Sequence, residues 1–269
     1  MASNLVSITR RGFGQTMRKD NWWVAPLLTF IGLGGFVVYS TWAAFQGNNY
    51  LFTGGGANYI SPFYSPELFG GVHSFFGAKP AWIPAWLPFS PALLILWAPG
   101  GFRFTCYYYR GAYYKSMWAD PPACAVGEPR HSYRGERKFP LILQNIHRYF
   151  LYLALIFLFF LAHDAWKAMW FVAADGKEHF GVGVGTIVLT ANFFCLSAYT
   201  LSCHSLRHLV GGVYDVLSNK PIRKAAYGCV SGLNKRHMLY AWISLFVVGF
   251  SDIYVRLCSI GIWSDWRIL

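Results

Sequence analysis

The sequence is short of charge. Only 13% of its 269 residues are Asp, Glu, Lys or Arg, where a soluble domain carries about 25%. That deficit argues against a soluble globule and against a disordered chain. Acids are the scarcer sign, 11 against 23 Lys and Arg. No phosphate-cradling loop, dinucleotide fingerprint or internal repeat is present, and no CxxC pair gives a strong metal signal. No cleavable signal peptide is expected either. The first apolar run starts past residue 20 and is too long for one.

Apolar residues make up 55% of the chain and aromatic ones 19%. They gather in five stretches long enough for a bilayer, near 23–45, 89–109, 141–162, 183–203 and 238–260. The expected fold is an all-α integral membrane protein, one domain over 1–269 with five transmembrane helices in a bundle. The second stretch follows Pro88 directly and holds Pro91, Pro99, Gly100 and Gly101, so a kink is expected there. Arg103 lies close enough to its end to snorkel. The GVGVG string at Gly181–Gly185 opens the fourth stretch and reads as small residues for close helix approach.

The cations give the orientation. With five crossings, sixteen Lys and Arg fall on one side and four on the other. The positive-inside rule then puts the N-terminus in the cytoplasm and the C-terminus outside. Segments 110–140 and 204–237 become cytoplasmic, and 46–88 an outer loop rich in aromatics. Charge divided among short membrane-bound segments does not suit nucleic acid, so none is expected as a partner, whereas membrane lipids are.

Polar chemistry collects on the cytoplasmic side. Cys106 ends the second stretch and Cys124 follows in the loop. His147 lies about two turns into the third helix if that helix starts near Pro140. His204 and His208 are four apart on the fourth helix and share one face, and His237 opens the fifth. Ionisable groups are costly in a membrane, so such a ring implies something to bind. Thiolates with imidazoles suit zinc or iron–sulfur ligation. For His131, Cys203 and Cys229 the ordinary packed role is the better reading, as it is for Cys195 and Cys258 within the spans. Haem b is an alternative, with His147 and either His204 or His237 as its axial pair. A second haem finds only His163 on a helix at the other face, with His73 or His179 in loops. A small-ion transporter is a further alternative, although Asp164 and Asp252 form no charged path across the bundle.

The strings CYYYRGAYY at Cys106–Tyr114, PPACAV at Pro121–Val126 and QNIHRYF at Gln144–Phe150 carry a resemblance, as do CHSLRHLVGG at Cys203–Gly212 and LNKRHMLYAW at Leu233–Trp242. With them the chain resembles the single-chain, five-helix membrane anchor of succinate dehydrogenase in its actinobacterial-type branch. The resemblance implies a respiratory complex II in a bacterial plasma membrane. Its flavoprotein and iron–sulfur subunits would sit on the cytoplasmic side. It also implies a quinone acceptor, menaquinone in the first place. This branch looks to have exchanged haem for a membrane-embedded Rieske-type [2Fe–2S] cluster. Carried over, Cys106 and Cys124 would be its thiolates, His147 one imidazole, and His237, ahead of His204, the other. For quinone, the residues at the right depth are Tyr109, Trp118, His204, Arg207 and His208.

Overall fold

The structure is a computed structural model. It describes residues 19–71, 73–84, 89–109, 111–112, 142–212, 214 and 216–269, with the backbone alone at 142–145 and 212. Helix α1 covers Val24–Gln46, and a cap segment follows with strands β1 (Leu51–Phe52) and β2 (Tyr59–Ile60). Two short helices come next, α2 (Pro91–Ile95) and α3 (Trp97–Thr105), and then the long α4 (Ile142–Lys167). Hairpin strands β3 (Trp170–Val172) and β4 (Glu178–Phe180) lead into α5 (Val184–Leu201). Short α6 (His204–Arg207), a π-turn at His208–Gly212 and α7 (Pro221–Asn234) precede α8 (His237–Ile260). The fold is mostly helical. Among the described residues the strands form two small antiparallel pairs in the cap, β1 with β2 and β3 with β4.

Four helices among the described residues are long and apolar enough to cross a membrane, not five. The expected second span, 89–109, is two helices instead. Together Pro91–Thr105 would rise roughly 22 Å at 1.5 Å per residue, against a hydrocarbon core of about 30 Å. The prolines explain the shape. Pro91 opens α2 and Pro99 falls in the first turn of α3, where each is tolerated because its missing N–H has no intrahelical partner there. Gly101 has a separate role. A Cβ at that position would collide with the Phe150 ring of α4, so glycine allows α3 and α4 to pack closely.

Large apolar side chains point outward along the long helices, among them Ile31 and Val38 on α1 and Phe159 on α4. This is expected where the surroundings are lipid tails. Inside, α8 is the central helix and packs against α5, α1 and the cap. One core cluster gathers Leu33, Phe102, Leu151, Tyr199 and Leu245 from five helices.

The cap is tied down by two acids, Asp252, which is buried, and Asp265, which is half-buried. Asp252 on α8 is fully buried and pairs with Arg256 one turn on, Nε to Oδ2 at 3.3 Å. It accepts from Tyr39 of α1 at 2.5 Å and from Ser61 of the cap. Arg256 Nη1 donates to the Asn48 carbonyl at 3.0 Å. Asp265, beyond α8, accepts from Tyr59 at 2.8 Å, from Tyr254 at 2.6 Å and from the Gly185 N–H at 2.8 Å at the start of α5. Burial, with Asp265 adding to it, holds the Tyr59 phenol above its usual range, so it remains a donor.

Removing one member of a buried ion pair strands the other, at a cost of about 3–5 kcal/mol. D252A should therefore lower the thermal midpoint of the purified protein sharply. The double variant D252L/R256M should lower it less, because no charge is stranded. Equal losses for both would show that the pair is not the staple.

Candidate functional site

The end of the bundle away from the cap holds a reciprocal arrangement of two dipeptides and two histidines. Thr105-Cys106 closes α3, and Ser202-Cys203 closes α5. His147 lies in the second turn of α4, and His237 opens α8. Thr105 Oγ1 meets His147 Nδ1 at 2.8 Å, while Cys203 Sγ meets His147 Nε2 at 3.0 Å. Ser202 Oγ meets His237 Nδ1 at 2.7 Å, while Cys106 Sγ meets His237 Nε2 at 3.4 Å. Each dipeptide thus gives its hydroxyl to one histidine and its thiol to the other. All four donors are buried.

The proton positions follow from the hydroxyls. A hydroxyl has one proton to donate. Thr105 donates its proton to the Gly101 carbonyl at 2.7 Å, and Ser202 donates to the Tyr199 carbonyl at 2.9 Å. Both oxygens must therefore accept from an imidazole Nδ1–H. That fixes both rings in the Nδ1-protonated tautomer and leaves each Nε2 lone pair facing a sulfur. Two rings hold the imidazoles flat. Phe102 stacks on His147 with centroids 4.6 Å apart, and Tyr199 stacks on His237 at 5.2 Å.

The expected site residues separate into groups. Cys106, His147 and His237 come together. Cys124 and Trp118 lie outside the described residues. The fourth member here is Cys203, for which the sequence favoured a packed role. The sequence signal that could have found it is a hydroxyl–cysteine step, Thr105-Cys106 and Ser202-Cys203, closing two different helices. Helix α5, the fourth expected span, ends at Leu201, so His204 and His208 do not share its face. Cys203 has extended backbone and caps the short α6, with its sulfur accepting from the Ser205 N–H at 3.3 Å. His204 is exposed, its ring 6.5 Å from that of His237. His208 is exposed and meets Arg148 Nη2 through Nδ1 at 2.9 Å. Arg207 donates to Ser231 at 2.9 Å and lies over the Tyr227 ring, which ties α6 to α7.

Tyr109 is fully buried and donates to the Ala241 carbonyl at 2.5 Å. Arg103, expected to snorkel, turns inward instead. It donates to Tyr109 Oη at 2.6 Å and to Ser244 Oγ at 2.9 Å, and lies over the Tyr199 ring at 4.6 Å. Those acceptors and aromatic faces replace the water that a snorkelling side chain would seek.

Among the described residues, no three His, Cys, Asp or Glu side chains already converge as a set of metal ligands. The donors stand as two mixed sulfur–nitrogen pairs. In kind they suit a centre that takes two thiolates and two imidazoles. No bis-imidazole pair suited to haem faces across the bundle among them, because each Nε2 is directed at a thiol.

Fold and site together define a multi-pass membrane subunit with a buried sulfur–nitrogen donor set at one end. The profile of the actinobacterial succinate dehydrogenase subunit SdhC family matches residues 24–261, and the chain belongs to that family. It is a membrane anchor subunit of a succinate dehydrogenase in a bacterial plasma membrane, with no complete active site of its own. A chain of the Mycobacterium smegmatis Sdh1 complex in the apo form is 45% identical to it. That match covers 94% of each chain with a TM-score of 0.82. No curated protein matches the sequence.

The tautomer argument has a direct test. T105V leaves the buried His147 Nδ1–H without an acceptor, which costs about 1–3 kcal/mol. The thermal midpoint should fall accordingly, and T105S should restore it. No difference between the Val and Ser variants would remove the hydroxyl from the site.

Proposed function

We propose that Cys106, Cys203, His147 and His237 hold a Rieske-type [2Fe–2S] centre, and that with it this subunit serves quinone reduction. The observation that carries the reading is the reciprocal pairing of two thiols with two tautomer-fixed imidazoles from four separate segments. A centre of this kind supplies one-electron transfer, at a potential raised by neutral imidazole ligands. The chain's own residues do the rest. Thr105 and Ser202 orient the rings, Phe102 and Tyr199 keep them flat, and the surrounding core excludes water.

The partners are the flavoprotein and iron–sulfur subunits of the enzyme. Succinate yields two electrons and two protons on becoming fumarate, and a quinone takes up two of each on becoming quinol. Because this donor set is at the bundle end that also bears Arg207, Lys220, Arg223, Lys224, Lys235 and Arg236, that end faces the cytoplasm and the iron–sulfur subunit. The N-terminus is then cytoplasmic, and segment 46–88 with the C-terminus lies outside. Residues 1–269 form one membrane domain. The exposed residues His204 and His208, with the tied Arg207, belong to the docking rim rather than to the ligand set.

Electron paramagnetic resonance of the reduced complex, with its iron and acid-labile sulfide content, tests the assignment. The purified complex should show a Rieske-type signal. C203S, C106S and the double variant H147A/H237A should each abolish that signal together with quinone reduction. C124S should leave both in place. Loss of the signal in C124S with retention in C203S would return the second thiolate to Cys124. A haem spectrum stoichiometric with this chain would overturn the cluster.

A further inference from the structure

Arg103 of α3 stands one aromatic ring from the donor set. Its guanidinium lies over the Tyr199 ring at 4.6 Å. The same ring stacks on the His237 imidazole, with centroids 5.2 Å apart and planes 17° from parallel. The hydrogen bonds of Arg103 lead toward His237 as well. It donates to Ser244 Oγ at 2.9 Å and, at 3.4 Å, to the Ala241 carbonyl. His237, Ala241 and Ser244 lie on one face of α8. The guanidinium is thereby held within about 10 Å of the imidazole. The other half of the site has no such neighbour. His147 stacks on Phe102, and no cation lies over that ring among the described residues.

The charge of Arg103 is neither neutralised nor needed for the bonds around it. Among the described residues no carboxylate pairs with it. Beside it, Phe36, Leu96, Leu158 and Val248 present carbon, which screens a charge poorly. Tyr109 Oη and Ser244 Oγ donate their own protons to the Ala241 carbonyl, at 2.5 and 3.1 Å. Neither hydroxyl would lose its acceptor if the guanidinium were removed.

We propose that Arg103 is a positioning residue that sets the reduction potential of the centre held by Cys106, Cys203, His147 and His237, acting on it through the Tyr199–His237 stack. The proposal rests on the cluster reading above. Reduction adds one electron, and so one negative charge, to a group that already carries two thiolates. A fixed positive charge about 10 Å away, at an effective dielectric of about 20, shifts that equilibrium roughly tenfold toward the reduced side. Succinate supplies two electrons, which pass through the centre one at a time from the iron–sulfur subunit to quinone. Lys235 and Arg236 precede His237 in the chain, but both are exposed, where water and salt screen them.

The test is a potentiometric titration of the intact succinate dehydrogenase complex, read at the Rieske-type resonance. R103M should lower the midpoint potential by about 59 mV, the one-electron equivalent of a tenfold change, with the line shape retained. R103K keeps the charge and should recover most of that loss. The resonances of the iron–sulfur subunit are the internal reference and should not move. S244D sets a carboxylate against the guanidinium and should lower the midpoint with Arg103 still in place. It gives the answer if R103M does not fold. An unmoved midpoint in folded R103M or S244D overturns the role of Arg103, and so does a fall in R103K as large as that in R103M. A wild-type complex without the resonance overturns the cluster, and this role with it. A normal wild-type resonance with an unmoved midpoint in the variants overturns the role of Arg103 alone.

Discussion

Two hydroxyl protons decide what this bundle end can do. Thr105 and Ser202 each give their proton to a carbonyl of the preceding turn, so each oxygen can only accept from a histidine. In a medium without water, that choice is hard to reverse, since no solvent stands in for the lost partner. Both imidazoles therefore present a bare Nε2 to sulfur. Four segments that are far apart in the chain are coupled through these bonds. Moving α3 relative to α5 would break a hydroxyl contact to one ring and a thiol contact to the other at once.

Much of the architecture is legible in the sequence because lipid imposes a simple rule. Runs of about 20 apolar residues form helices whatever their neighbours, so α1, α4, α5 and α8 fall within a few residues of the expected spans. The second run misleads because hydropathy counts Pro91 and Pro99 as tolerable, while backbone hydrogen bonding divides the run between two helices. Arg103 misleads for a related reason. Its distance from the end of the run suggests snorkelling, yet the choice between water and an inward set of hydroxyls and rings is made by helices that the local sequence does not contain.

The donor set was legible in part. Cys106, His147 and His237 stand out as soft or basic groups at the same depth. Cys203 does not, because a buried cysteine at a helix end is common and inert. What gives it a role is the break after Leu201, which turns its sulfur toward His147. The four-residue spacing of His204 and His208 suggests that the helix continues through them, whereas it ends at Leu201. The position of a helix end therefore changes the membership of the site.

The two arginines inside the bundle make the last contrast. Arg256 is paired with Asp252 and bonded to the cap backbone, a complete arrangement whose effect is to join helix and cap. Arg103 has only neutral acceptors and ring faces among the described residues, and it borders open space. An apolar side chain would fill that space and pack better, since replacing buried charge with well-packed hydrophobic groups is often neutral or stabilising. Stability alone thus accounts for Arg256 and not for Arg103.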